Sequence, residues 1–171
     1  MIRSVGCTRM QACILAAMLL SAVFACSQTG ANSKSVAPSA VSAELAPGSA
    51  HLLSPEDLRK IIQSPTGTKP LVLMVGPHML YRQAHIPASE YIGTTSSPEG
   101  IELLKARVKS LPKNQAIVLY CGCCPWIRCP NVRPAFSALH QLGYTNVKVL
   151  YIADNFGSDW VDKGYPTTKG Q

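Results

Sequence analysis

Three short apolar runs punctuate the chain: Leu71 to Val75 (LVLMV), Ala116 to Tyr120 (AIVLY) and Val147 to Ile152 (VKVLYI). None alternates strictly with polar residues, so each predicts a strand buried on both faces rather than one with a wet side. Between them the apolar period changes to that of a helix. Ser54-Pro55-Glu56-Asp57 supplies a capping serine, a proline suited to the first helical position and an acid three residues on, which opens a helix through LRKII. Ser97-Pro98-Glu99 repeats the signature, and Ile101, Leu104, Val108 and Leu111 then share one helix face up to Pro112. Val132, Ala135, Phe136, Leu139 and Leu142 keep the same spacing in a third helix that starts near Asn131, with Gly143 where a C-terminal cap belongs. Apolar strands alternating with amphipathic helices predict an α/β fold, a three-layer α/β/α arrangement around a mostly parallel sheet.

The N-terminal part follows another pattern. Arg3 and Arg9 precede the uncharged run Ala12 to Ala25 (ACILAAMLLSAVFA), the charged and apolar regions of an export signal, and the run is too short to span a bilayer comfortably. It ends in Val23-Phe24-Ala25-Cys26, which looks like the cleavage and acylation site of bacterial lipoproteins. Plain cleavage near Ala25 and an uncleaved anchor are the alternatives. Residues 27 to about 50 (SQTGANSKSVAPSAVSAELAPGSA) are rich in Ser, Ala, Gly and Pro and read as a flexible tether. The sequence therefore divides into a signal (1–25), a tether (26–50) and one domain (51–171). The expected location is the periplasmic side of a bacterial membrane, with a lipid anchor at Cys26.

Charge adds little to this picture. Setting aside Arg3 and Arg9, the formal net charge falls from +7 to +5. No stretch concentrates Lys or Arg with interleaved aromatics, so nucleic-acid binding has no support. The pattern leaves the oligomeric state open.

Cysteine changes the picture more. Of seven, Cys7, Cys13 and Cys26 belong to the signal region, and Cys121, Cys123, Cys124 and Cys129 crowd into nine residues. Tyr120 closes a buried strand, Cys121 follows at once, and a helix begins near Asn131. In open α/β sheets that junction is the usual ligand site. A thiol there is expected to face the free N–H groups of the following helix, which favour a thiolate, so Cys121 is the candidate catalytic nucleophile.

Around Cys121 the order of motifs resembles that of rhodanese-like domains over nearly all of residues 52 to 168. His85-Ile86-Pro87, preceded by Tyr81, is similar to the family's first signature. Ile117-Val118-Leu119-Tyr120-Cys121 looks like the strand that delivers its catalytic cysteine, Leu142-Gly143-Tyr144-Thr145-Asn146-Val147 like the next helix end and strand, and Trp160 with Gly164-Tyr165-Pro166 like its closing signature. The resemblance implies sulfur transfer. Cys121 would take sulfane sulfur from a small anionic donor such as thiosulfate, hold it as a persulfide cradled by backbone N–H groups, and pass it to a thiol acceptor. No cofactor is implied.

The chain also departs from the family. The loop Cys121-Gly122-Cys123-Cys124-Pro125-Trp126-Ile127-Arg128-Cys129-Pro130-Asn131 is about five residues longer, and Asn131 stands where the family has an arginine. Arg128 or Arg133 can replace that charge, though at other positions. The Asp and Arg the family often carries at the end of the earlier strand are Met74 and Gly76. The substrate-binding loop thus comprises Gly122, Cys123, Cys124, Trp126, Arg128 and Arg133.

Other roles remain open for the extra thiols. Cys124 and Cys129, separated by Pro125 and Pro130, can form a disulfide, and Cys123 can resolve a persulfide on Cys121. All four suit a soft ion such as Zn or Cu(I), although C-x-C-C-x4-C lacks the two separated knuckles of structural zinc sites. A thiol-disulfide or soft-metal module on the same scaffold, or a non-catalytic domain with loop disulfides, are the alternative readings. Trp126 is a lid or packing, His85 an ordering hydrogen bond, Trp160 core; His78 and His140 show no catalytic partner in sequence.

Overall fold

The computed structural model describes residues 38–170. The expected export signal, Cys26 and the first part of the tether lie outside the described residues, and among those described no helix is long and apolar enough to cross a membrane. In chain order the elements are α1 (Pro38–Glu44), β1 (Leu52–Leu53), α2 (Pro55–Gln63), β2 (Leu71–Met74), α3 (His78–Gln83), β3 (Glu90–Tyr91), α4 (Pro98–Val108), β4 (Ile117–Tyr120), α5 (Val132–Gln141) and β5 (Val147–Leu150). All strand pairs are parallel, in the order β1-β5-β4-β2-β3.

The continuous apolar strands are explained by what covers them. Leu73, Val75, Ile117 and Leu119 face one layer with Leu104 and Val108 of α4 and Phe136 and Leu139 of α5. Their neighbours Val72, Met74, Val118 and Tyr120 face the other, with Leu58 of α2, Tyr81 of α3, Phe156 and Trp160. Successive strand residues point to opposite faces, so a sheet buried on both sides can tolerate no polar alternation. Each fully buried Leu, Ile or Val contributes about 1.5–3 kcal/mol.

The predicted helix starts are realised. Ser54 Oγ accepts from the Asp57 N–H at 3.1 Å, and Ser97 Oγ from the Gly100 N–H at 3.3 Å; such caps stabilise by about 1 kcal/mol each. The family-like signatures have structural jobs. The His85 backbone exchanges two 2.9 Å hydrogen bonds with Thr168, its Nδ1 lies 2.7 Å from the Tyr81 carbonyl, and Trp160 Nε1 donates to the Pro166 carbonyl at 2.9 Å.

One expectation is corrected. Residues 38–44, read as tether, form α1, and Val41 and Leu45 are buried against the α4 and α5 layer. Two apolar residues four apart suffice to seat a single helical turn on a neighbour, and an average over a Ser/Ala/Pro-rich segment hides them. The edge strands β1 and β3, two residues each, carry no period to read.

Candidate functional site

β4 is the central strand, flanked by β5 and β2. Its end is fixed by the Val75 N–H donating to the Tyr120 carbonyl at 2.8 Å, and the next residue is Cys121, only 1% exposed. Close packing here depends on two glycines. A Cβ at position 76 would stand 2.6 Å from Cys121 Sγ, so Met or Arg-sized groups have no room where β2 passes the thiol. Gly122 has φ +76°, and a Cβ there would meet Phe156 Cβ at 2.6 Å. Its carbonyl accepts from the Phe156 N–H at 3.1 Å, which ties the loop to the segment after β5.

From Gly122 the loop passes Cys123 and Cys124, whose sulfurs are 3.1 Å apart, and then makes one tight helical turn over Trp126–Arg128. The Trp126 N–H donates to the Ala153 carbonyl at 2.9 Å, and the indole packs edge-on against Tyr151 at 5.2 Å with the Arg133 guanidinium 5.5 Å above it. Trp126 is therefore packed and also walls the site. Arg133 is half-buried on that ring, whereas Arg128 is exposed.

Asn131 is buried and organises the site. Its Nδ2 donates to Cys121 Sγ at 3.3 Å and lies 3.9 Å from Cys123 Sγ, while its Oδ1 accepts from the Ser96 N–H at 3.0 Å. Its carbonyl accepts from Thr95 Oγ1 at 2.7 Å. One amide thus links the end of β4, the turn before α4 and the start of α5. An asparagine at a helix start ordinarily caps that helix; this one makes no side-chain cap bond, because its side chain is engaged with the thiols.

The start of α5 acts on Cys129 as well as lying beside Cys121 through Asn131. The backbone N–H groups of Asn131 and Val132, at the positive end of α5, favour the charged form of Cys129. The Cys129 thiol is pulled down to about 6, first by the hydrogen bond from Cys121 and then, against burial, by those two N–H groups. Cys121 is pushed far up by donating that hydrogen bond and by burial, with the Cys123 N–H opposing. The two thiols act on each other, upward on Cys121 and downward on Cys129. Burial and the neighbouring Cys123 push Cys124 up to about 12.

All four thiols are free, so the possible Cys124–Cys129 disulfide is not formed. Cys129 lies beside Cys121 instead: the sulfurs of Cys121, Cys123 and Cys129 are all within 4.8 Å of one another. Beside them is a cavity of ≈ 10 Å³ lined by Cys121, Gly122, Cys124, Trp126, Cys129, Val132, Leu150 and Ile152. A volume of about 10–15 Å³ is what one small guest atom or water needs.

Of the expected loop residues, Cys121, Gly122, Cys124 and Trp126 line the cavity, Cys123 joins the cluster of sulfurs, and Arg128 and Arg133 stand outside the lining. It passed over Asn131 as a ligand of sulfur and Gly76 as the space for it. Asn131 was noted only as a missing arginine, and its position before a helix suggests a cap.

Comparison with known proteins bears on this arrangement. A family model for the rhodanese-like domain matches residues 47–151, more than half of the chain. The crystal structure of the Alr3790 protein from Anabaena sp. aligns with a TM-score of 0.52 at 19% identity, covering 68% of this chain and 82% of that one. The BH2092 protein from Bacillus halodurans gives 0.52 at 22% identity, covering 70% and 77%. The solution structure of the rhodanese-like domain of Alr3790 gives 0.51 at 19%, covering 70% and 79%. No curated protein matches the chain. At these identities the structures speak for the fold alone, and together with the family match over the sheet and the cysteine loop they establish that this chain belongs to the rhodanese-like domain family.

Proposed function

We propose that the domain is a sulfurtransferase that carries sulfane sulfur on Cys121. The observation that carries this reading is the one-atom cavity beside a strand-end thiol: ≈ 10 Å³ is room for one added sulfur and little else. In the first step the Cys121 proton passes to Cys129 and the Cys121 thiolate attacks the outer sulfur of the donor. A Cys121 S–S bond forms, the donor's S–S bond breaks, and the leaving group, sulfite when the donor is thiosulfate, departs with the electron pair. In the second step an acceptor thiolate takes the outer sulfur and Cys121 leaves as a thiolate. The Cys123 N–H and the Asn131 amide are the donors available to the persulfide.

Asn131 is neutral, so the pocket itself holds no fixed positive charge for a dianionic donor; Arg133, beside Trp126, is the nearer candidate for that role than exposed Arg128. Cys121 is buried, so the loop 122–130 must open for donor and acceptor to reach it. Export and lipidation at Cys26 complete the reading: a membrane-tethered sulfur carrier on the periplasmic side. Incubating the reduced protein with thiosulfate and taking an intact mass tests the chemistry. One added sulfur, removed by cyanide and absent in Cys121→Ser, is the expected outcome; no adduct in the fully reduced protein refutes it. Cys26→Ala should release the protein from membranes, and continued attachment would refute lipidation as the anchor.

A further inference from the structure

Sulfur transfer requires one thiol, and the site assembles three. Cys121 arrives at the end of β4, Cys123 from the loop just after it and Cys129 from the turn that leads into α5, yet their sulfurs lie within 4.8 Å of one another. Asn131 reaches two of them, donating to Cys121 Sγ at 3.3 Å with Cys123 Sγ at 3.9 Å. An amide N–H pointed at a sulfur orients it and favours its anionic form, the arrangement that outer-shell groups adopt around metal ligands. Cys124 is turned to Cys123 at 3.1 Å and is not one of the three mutually close sulfurs.

We propose that Cys121, Cys123 and Cys129 form a three-thiolate site for a soft monovalent ion, Cu(I). The dimensions suit it. With metal–sulfur bonds of about 2.3 Å, three sulfurs in a plane around an ion stand about 4.0 Å apart, within the limit the three sulfurs already meet. The choice of Cu(I) over Zn(II) follows from the walls. Zinc requires a fourth ligand; Cys124, the other thiol of the cavity lining, is turned to Cys123 at 3.1 Å and stands outside the mutually close set, and the side chains of Trp126, Val132, Leu150 and Ile152 offer no lone pair for a metal. Soft thiolates without hard donors select Cu(I). Three thiolates around Cu(I) carry a net charge of −2, which the positive end of α5, where Cys129 sits, partly offsets.

Binding moves no electrons. The ion enters and stays as Cu(I), each ligating thiol releases its proton to solvent, and the exchangeable ligands it arrived with leave with their own electron pairs. Because Cys121 is shared, a bound ion blocks persulfide formation and a persulfide blocks the ion.

The test uses the full chain with Cys7→Ser, Cys13→Ser and Cys26→Ser, titrated without oxygen with Cu(I) against a chromogenic Cu(I) chelator. One ion per chain should be retained, X-ray absorption should show three sulfur neighbours, and Cys121→Ser, Cys123→Ser and Cys129→Ser should each weaken binding at least about tenfold while Cys124→Ser leaves it unchanged. If a serine variant fails to fold, alkylation of the unsubstituted protein decides: Cu(I) should protect Cys121, Cys123 and Cys129 and leave Cys124 reactive. Loss of all Cu(I) to the chelator, equal protection of Cys124, or tighter binding of Zn(II) through all four sulfurs overturns the proposal. Intact mass of the unsubstituted, metal-free protein after thiosulfate separates it from the sulfur-transfer reading: a sulfur adduct without any retained Cu(I) sinks this proposal alone, and retained Cu(I) without an adduct sinks the sulfur-transfer reading alone.

Discussion

The most discriminating prediction concerns which thiol is charged, and the perturbation is Cys129→Ser. With the Cys129 thiol at about 6, roughly ten thiolates stand against each thiol at neutral pH, about 90% ionised. A thiol at an ordinary value of about 8.5 is about 3% ionised there. Ultraviolet thiolate absorbance in the folded protein should therefore rise by close to one thiolate per chain across a midpoint near 6. In Cys129→Ser that step should vanish, and Cys121, which would lose the partner that takes its proton, should stay a thiol through neutral pH. In Cys121→Ala the step should persist but move upward, because the hydrogen bond from Cys121 is the first cause of the depression and the two N–H groups of α5 remain. Stability should follow the same proton. A depressed thiol contributes stability that is present above its unfolded value of about 8.5 and lost as pH falls through about 6. Cys121, raised, contributes in the opposite sense, present below about 8.5 and lost as pH rises through its folded value. The reasoning is refuted if the step near 6 survives Cys129→Ser and disappears in Cys121→Ser, which would place the charge on Cys121.

Three further substitutions test the geometry. Asn131→Leu removes the amide from Cys121 and leaves the buried Ser96 N–H without its acceptor, so urea unfolding should show a loss of about 1–3 kcal/mol and Cys121 should react faster with a small alkylating agent; an unchanged midpoint and rate would contradict the clamp. Gly76→Ala places a Cβ 2.6 Å from Cys121 Sγ, overpacking that costs about 1–3 kcal/mol and should slow or abolish sulfur loading, whereas wild-type stability with full loading would mean the thiol has space that the structure denies it. Leu45→Ala, at a residue 1% exposed in a segment that composition marks as linker, should cost about 2–4 kcal/mol; no change in the urea midpoint would return α1 to the tether.

Much of the scaffold was legible because its signals are local. The strands β2, β4 and β5 carry uninterrupted apolar runs, Ser54 and Ser97 announce their helices, and the helical period from Val132 to Leu139 is broken by nothing before Gly143. α3 and the edge strands β1 and β3 were missed, since six residues or two hold too little period to distinguish them from loop. At the site, Cys121 could be named because a strand end followed by a helix is itself a sequence pattern. Asn131 could not, since the same residue at the same position serves as a helix cap or as a clamp on sulfur, and the neighbours that make it a clamp, Ser96 and Cys121, come from different parts of the chain.

The order of apolar runs and caps was enough to dictate the α/β class, the strand-end cysteine and the membership of the loop, because hydrophobic period and capping act over a few neighbouring residues. The distribution of one proton among the thiols was not legible at that range. Cys121 and Cys129 are eight residues apart, and which of them carries the charge depends on whose sulfur the N–H groups of α5 meet and on how far Gly76 lets β2 approach, quantities that exist only once the sheet and its helices have packed.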